Sequence, residues 1–207
     1  FLPPKIVEKS LSEVFEKGFI KYGQAKGIPI FREELAEFVS KKFNVKITHE
    51  NILVSPGARF SIFSAISTLL NPGDEMIVIE PAWPAYKDCA LNAGVKVRTI
   101  NTTLEGKWEP SIEQIKNMIN SNTKMIVLNY PNNPTGKILP EKLQDNIIEL
   151  AKEKQLYVLS DEIYSQYAKT NWKSILSYNY EKSIVTQSFS KSHAMTGFRI
   201  GYGIASK

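Results

Sequence analysis

The chain has 207 residues, of which 43% are hydrophobic and 23% are charged; this composition is typical of a globular protein and excludes the disordered, collagenous and coiled-coil classes. The 26 basic and 21 acidic residues give a net charge of +5, but the lysines are scattered among glutamates, so we expect no nucleic-acid partner. No run approaches the about 18 apolar residues of a membrane helix, and we expect no membrane partner either.

Residues 1–25 are predicted to form an N-terminal arm, with an amphipathic segment at residues 11–20. A helix is predicted to follow, because Pro29 suits a first helical turn and apolar residues recur after it at helical spacing. These apolar residues are Phe31, Leu35, Phe38, Val39 and Phe43. No linker-like segment interrupts residues 26–207, which are therefore predicted to form one domain.

Short apolar runs alternate with helical patterns along the rest of the chain. The predicted strands cover residues 52–54, 76–79, 95–100, 125–128, 156–159, 184–186 and 200–204, and the predicted helices cover residues 59–70, 84–92, 113–119 and 141–154. Strands that are continuous in Ile, Val and Leu and separated by helices are typical of a parallel sheet covered on both faces. The predicted fold is therefore α/β, with a mainly parallel sheet between two layers of helices.

Three clusters of unusual residues follow predicted strands, at the end of the sheet where ligands gather in α/β folds. Their sequences are NYPNNPTG at 129–136, SDEIY at 160–164 and SFSKSHAMTGFR at 188–199. The first could equally be a plain loop, and Asp161 in the second could simply cap a helix. In the third, Lys191 lies among small residues, and a lysine sheltered in this way can lose its proton and attack a carbonyl carbon.

In this order and spacing, the three strings resemble the class I/II aminotransferases among the fold type I pyridoxal-phosphate enzymes, close to the aspartate and aromatic aminotransferase branch. The resemblance covers nearly the whole chain, because shorter matches precede the strings at residues 22–23, 27–29, 31–33, 55–58 and 81–83. It implies pyridoxal phosphate as the cofactor, with residues 26–207 as the large domain that binds it. The implied reaction moves an amino group between an L-amino acid and a 2-oxo acid.

Four residues match the family's groups around the cofactor ring. The resemblance implies that Lys191 forms an aldimine with the cofactor and later moves the proton of the substrate's α-carbon. It also implies that Asp161 pairs with the pyridine nitrogen and keeps it protonated. Asn133 and Tyr164 match the two groups that hydrogen-bond the cofactor's 3′ oxygen; their alternatives are a turn Asn and a half-buried Tyr at a strand end.

Five residues match the family's phosphate site. Free N–H groups in the turn formed by Gly57, Ala58 and Arg59, which opens a predicted helix, suit a dianion. Ser188 and Arg199 match the family's hydroxyl and guanidinium phosphate ligands. The chain has four Arg against 22 Lys, so a planar, bidentate guanidinium at this position fits the role better than a random surface charge does.

Two aromatic residues complete the set that the resemblance implies. Trp83 matches the residue that stacks on the cofactor ring, and a core Trp is its alternative. Tyr22 matches a tyrosine that reaches across a dimer to the phosphate of the neighbouring site. The resemblance therefore implies a homodimer with shared sites, and we predict no metal site.

The ends of the chain and its single cysteine lead to further expectations. The chain lacks an initiator Met and stops after GYGIASK, so we expect a trimmed chain or a fragment. The resemblance implies a smaller C-terminal domain beyond residue 207, with an arginine for the substrate carboxylate, and the chain alone is expected to be inactive. Cys89 cannot form an internal disulfide and FLPPKIVEKS is unlike a signal peptide, which favours a cytoplasmic protein.

Two other functions stay open. A related carbon–sulfur β-lyase would use the same aldimine and carbanion. A sensor domain of a transcription regulator could bind pyridoxal phosphate without turnover, although that function requires a DNA-binding helix-turn-helix before residue 1. Function is decided by the site more than by kinship of the fold, and we therefore favour the aminotransferase.

Overall fold

A mixed sheet runs through the middle of the protein, as seen in a computed structural model that describes residues 1–18, 20–168 and 172–206. Within these ranges the strands are β1 (Ile52–Ser55), β2 (Glu75–Glu80), β3 (Lys96–Asn101), β4 (Thr123–Asn129), β5 (Tyr157–Asp161), β6 (Ser183–Ser188) and β7 (Gly201–Ala205). Their spatial order is β1-β7-β6-β5-β4-β2-β3. Strands β2 to β6 are parallel, whereas β7 is antiparallel to both of its neighbours. The mainly parallel sheet expected from the sequence is confirmed.

The helices of the described residues are α1 (Lys5–Glu16), α2 (Pro29–Phe43), α3 (Ala58–Leu69), α4 (Ala85–Asn92), α5 (Ile112–Met118), α6 (Glu141–Glu153) and α7 (Phe189–Ser192). Helices α2 to α6 agree with their predicted positions to within one residue. The prediction of an amphipathic segment at residues 11–20 was wrong in its limits, because α1 starts directly after Pro4 and ends before Gly18, which has a φ of +69°. Helix α1 buries none of its side chains, and a separate arm over residues 1–25 stays a prediction.

Side chains of β2 alternate between two hydrophobic cores, one on each face of the sheet. Met76 and Val78 pack with residues of α3 and α4 on one face. Ile77 and Ile79 pack with residues of α2, α5 and α6 on the other. Full burial of such a side chain stabilises the fold by about 1.5–3 kcal/mol. The two cores therefore hold the helices in two layers around the sheet, as the sequence predicts.

The antiparallel strand β7 brings distant parts of the chain together at one edge of the molecule. Its first residue, Gly201, pairs with Ser55 on one side and with Ser188 on the other. A Cβ atom on Gly201 would lie 2.4 Å from the backbone nitrogen of Ala58, so only glycine permits this approach. As a result the start of α3 meets the carboxyl end of β6.

No helix within the described ranges is both long enough and apolar enough to cross a bilayer.

Candidate functional site

A cavity of about 380 Å³ opens at the carboxyl ends of β4, β5 and β6. Nine of the eleven residues predicted for the site line it: Ala58, Arg59, Trp83, Asn133, Asp161, Tyr164, Ser188, Lys191 and Arg199. The other two lie outside the lining: Gly57 is adjacent to Arg199, and Tyr22 is fully exposed. The sequence analysis missed five lining residues, Tyr86, Asn129, Ile163, Ser190 and Thr196. Residues that are far apart in sequence thus meet in one cavity.

The carboxylate of Asp161 lies at the buried side of this cavity and is only 2% exposed. Its Oδ2 accepts a hydrogen bond from the Tyr86 hydroxyl at 2.7 Å, and its Oδ1 accepts one from Thr186 at 3.2 Å. Burial raises the pKa of Asp161, and these hydrogen bonds act in the opposite direction. A buried carboxylate is costly unless a cation compensates it. The position therefore suits a positively charged ring nitrogen, and Asp161 caps no helix.

Two aromatic residues form one wall of the cavity. The rings of Trp83 and Tyr86 are 5.7 Å apart and almost perpendicular, at 89°, a favourable edge-to-face geometry. Tyr86 is completely buried, and its burial next to Asp161 raises its pKa well above the usual value. Trp83 is half-buried and faces the cavity, which agrees with a stacking position better than with a core Trp. The three-residue spacing of Trp83 and Tyr86 was the available signal for the second residue.

Asn129 connects the loop after β4 to the end of β5. Its side-chain Nδ2 donates to the carbonyl of Asp161 at 3.1 Å, and its Oδ1 accepts from the backbone N–H of Asn133 at 3.0 Å. These bonds fix the backbone of Asn133 beside Asp161. Tyr164, which follows β5, lines the same cavity, and partial burial raises the pKa of its hydroxyl. The loop is therefore a built part of the cavity wall.

Hydrogen-bond donors gather at the opposite end of the cavity. Helix α3 begins there, directly after Gly57, whose φ is +85°, and the first N–H groups of a helix have no partner within it. The Arg199 guanidinium packs so closely on Gly57 that a Cβ there would lie 2.4 Å from Nη2. The Ser188 hydroxyl donates to the carbonyl of Ile200 at 3.0 Å, so it would have to rotate to donate to a ligand. This donor set suits a phosphate.

Lys191 lies on the four-residue helix α7 at the rim of the cavity. The sequence analysis expected a sheltered lysine, and this expectation was wrong, because Lys191 is exposed. Among the four residues of α7 only Lys191 is exposed; Ser190 is buried, and Phe189 and Ser192 are half-buried. The backbone carbonyl of Lys191 accepts a hydrogen bond from the Tyr167 hydroxyl at 2.7 Å.

The polar groups that line the cavity fit both the phosphate and the ring of pyridoxal phosphate. The guanidinium and the helix N-terminus suit the phosphate, the buried carboxylate suits the ring nitrogen, and an amine stands at the rim. A flat aromatic side chain lines the wall between these ends. Within the described part of the chain, no group of three or more His, Cys, Asp or Glu side chains could hold a metal ion.

Glu162, next to Asp161, is a second buried carboxyl group and is 1% exposed. It accepts hydrogen bonds from the Ser174 hydroxyl at 2.8 Å, from the Ile175 N–H at 3.0 Å and from the Ser160 hydroxyl at 3.2 Å. Burial outweighs these bonds and raises the pKa of Glu162 to about 7. This carboxyl group faces away from the cavity lining and anchors the segment after residue 172.

We expect Glu162→Gln to reduce the pH dependence of stability in the cofactor-free protein. The folded-state pKa of about 7 exceeds the usual 4.5, so between these values the folded state binds more protons than the unfolded state. The free energy of unfolding therefore falls by roughly 3 kcal/mol as the pH rises through this window. Gln cannot ionise, so the variant should lose less stability, as urea unfolding at pH 4.5 and pH 7.5 would measure.

The exposed Glu149→Gln variant is the control for this change. It should keep the pH dependence of the parent, because the Glu149 side chain is 69% exposed. Asp161 remains in all three proteins and contributes a background in the same direction. Equal pH dependence in the parent and Glu162→Gln would show that Glu162 ionises at its ordinary pKa.

The chain matches the family model "Aminotransferase class I and II" over residues 2–207. It is 34% identical to an aspartate aminotransferase of Thermotoga maritima over 208 residues, which cover 99% of this chain and 55% of that protein. It is also 34% identical to an aspartate/prephenate aminotransferase of Thermus thermophilus, covering all of this chain and 54% of the relative. The chain thus spans about half the length of the curated relatives it matches.

Solved structures agree over the whole chain. The crystal structure of the Thermotoga maritima aspartate aminotransferase superposes with a TM-score of 0.95 at 34% identity, covering 100% of this chain and 56% of that structure. An aromatic aminotransferase from Pyrococcus horikoshii also gives a TM-score of 0.95, at 30% identity and with the same coverage.

Proposed function

Because the chain belongs to the class I and II aminotransferase family, we propose that it carries the cofactor-binding part of a pyridoxal-phosphate-dependent aminotransferase. The enzyme would move an amino group between an L-amino acid and a 2-oxo acid. The observation that supports this proposal best is that the buried Asp161 carboxylate and the Lys191 amine line the same cavity. Relatives named for aspartate, prephenate and aromatic substrates make L-aspartate and the aromatic amino acids the first donors to test.

Lys191 and Asp161 would carry the chemistry. When bound, pyridoxal phosphate supplies an electron sink for the carbanion of the substrate. The Lys191 amine would hold the cofactor at its aldehyde carbon, with release of water, and, once the substrate has taken that place, it would move the proton from the substrate's α-carbon to C4′ of the cofactor. Asp161 would hold a proton on the pyridine nitrogen, because its buried carboxylate favours a cation beside it.

The remaining lining residues would hold and orient the cofactor. Arg199, the N–H groups of Ala58 and Arg59 and, after rotation, the Ser188 hydroxyl would bind the phosphate. The Trp83 ring would stack on the cofactor. Asn133 and Tyr164 would donate to the 3′ oxygen and favour its ionised form.

We also propose a homodimer in which Tyr22 reaches the phosphate of the partner's site. Tyr22 is fully exposed and lies outside its own cavity. Phe60 and Phe63 lie on α3 close to Arg59 and Arg199, and they are 49% and 36% exposed. An apolar surface beside a ligand site suits a second copy. Residues 26–207 would be the cofactor-binding domain, and we propose a cytoplasmic location because the single cysteine, Cys89, fits a reducing compartment.

Borohydride reduction of the chain with pyridoxal phosphate should leave a stable label on Lys191. The reason is position: the amine stands at the rim of a cavity whose far end offers a phosphate site. Peptide mass spectrometry locates the label, and Lys191→Ala should remove it. The control is Lys182→Ala, since Lys182 lies outside the cavity and bonds the carbonyl of Gln155. Label spread evenly over several lysines would contradict the proposed function.

A further inference from the structure

The Tyr167 hydroxyl connects two segments that meet at the cavity. It donates to the backbone carbonyl of Lys191 at 2.7 Å, across 24 residues of sequence. The Tyr167 backbone N–H donates to the carbonyl of Tyr164 at 2.9 Å, within the turn that follows β5. Tyr167 thus connects two segments: the turn that carries Tyr164 and the helix that carries Lys191.

Helix α7 needs such a contact because it has only four residues. A helix of one turn makes too few internal hydrogen bonds to hold its own conformation. The carbonyl of Lys191 also has two backbone donors, the N–H of the C-cap residue His193 and the N–H of Ala194, and the contact with Ala194 is long, at 3.5 Å. The bond from Tyr167, at 2.7 Å, is much shorter than the bond from Ala194, and it constrains the backbone of the residue whose amine lies at the cavity.

A second bond joins the same two segments but lies deeper in the fold. Gln187 Nε2 donates to the Ser165 hydroxyl at 3.0 Å, and both residues are buried. This bond fixes the end of β6 against the turn, one strand residue before α7 begins. Tyr167, which is 59% exposed, extends the connection to Lys191 itself.

We propose that Tyr167 is a positioning residue for Lys191. Its hydroxyl holds the backbone of α7 against the turn after β5 and so sets where the Lys191 amine stands relative to Tyr164 across the cavity. The effect of Tyr167 on catalysis rests on the proposed function. The physical connection between the two segments exists without the cofactor and can be tested without it.

Tyr167→Phe keeps the ring and removes only the hydroxyl. In the cofactor-free variant, amide hydrogen exchange over residues 189–194 should accelerate about tenfold relative to that of β4, because a short helix released at one end opens more often. With pyridoxal phosphate added, labelling of Lys191 under borohydride should slow about tenfold, since a misplaced group reacts more slowly. The pH midpoint of the bound cofactor's absorbance change should shift as well.

Tyr180→Phe is the matched control. Tyr180 also donates its hydroxyl to a backbone carbonyl, that of Leu156 at 2.8 Å, but it lies away from the cavity. Tyr180→Phe should leave three quantities unchanged: the amide exchange of residues 189–194 relative to β4, the rate of Lys191 labelling, and the pH midpoint of the cofactor's absorbance change. The proposal is overturned if Tyr167→Phe also leaves these three readouts unchanged, or if Tyr180→Phe changes them equally. A parent chain that takes no label would contradict the proposed function, while the exchange result would still decide the role of Tyr167.

Discussion

Asp161→Asn should slow removal of the substrate's α-proton by about three powers of ten, which corresponds to roughly 4 kcal/mol of barrier. The amide is isosteric but carries no charge, so it cannot favour a proton on the pyridine nitrogen. The ring nitrogen then stays neutral and accepts electrons poorly. Lys191 is untouched by the change, and the variant should still take the borohydride label.

Deuterium exchange at the α-carbon of L-aspartate in the cofactor-loaded protein measures this step directly. The control is Tyr86→Phe, which removes the 2.7 Å bond to the same carboxylate and keeps its charge. We expect Tyr86→Phe to slow removal of the α-proton about tenfold, in line with the loss of one hydrogen bond to a charged group. An Asp161→Asn protein that exchanges as fast as Tyr86→Phe would mean that the charge at this position is dispensable.

Residues 1–207 alone, loaded with pyridoxal phosphate, should transaminate more slowly than about 0.01 s⁻¹, a thousandth of a typical enzyme rate. The cavity offers donors for the phosphate and a carboxylate for the ring nitrogen, but apart from Arg59 it has no second guanidinium for the substrate carboxylate. Losing a bidentate clamp removes both binding energy and the orientation that makes proton transfer effectively unimolecular. Lys191 is exposed at the rim, so water also has access to the reacting atoms.

The assay is glutamate formation from 2-oxoglutarate with a panel of L-amino acids. Three arginines are available besides Arg199: Arg32 is buried and bonds the carbonyl of His49, and Arg98 pairs with Glu75. Only Arg59 lines the cavity, where it pairs with Asp88. Turnover close to 10 s⁻¹ that is lost in Arg59→Lys would show that this arginine serves as the clamp, contrary to our expectation.

The sequence predicted the layers of the fold well, because continuous Ile, Val and Leu runs between helices leave few other arrangements. It did not predict the reversal of β7. A strand's apolar pattern is the same in either direction, so only the sheet partners of Gly201 reveal its orientation. The start of α1 was missed for a local reason, since the helix begins at Lys5, directly after the Pro3-Pro4 pair, while its apolar residues suggested a later start.

The site was predicted where residues are unusual for their position and missed where they look like core. Asp161 and Lys191 stand out at strand ends, and the structure brings both to one cavity. Tyr86 and Thr186 are as buried as any core residue. Apart from the three-residue spacing of Tyr86 from Trp83, nothing in their sequence context indicates a hydroxyl that donates to a carboxylate. The exposure of Lys191 could not be predicted from the sequence either, because the burial of a side chain depends on what packs over its helix and not on the neighbouring residues in the chain.

The position of β7 also dictates an order of assembly during synthesis on the ribosome. Strand β1 has β7 as its sheet neighbour, so it must wait for about 150 further residues to emerge before it can pair. Strands β2 to β6 can associate earlier, since each finds its neighbour among them. The turn at Gly57 and the side chain of Arg199 meet only when β7 docks between β1 and β6. The phosphate end of the cavity is therefore completed last.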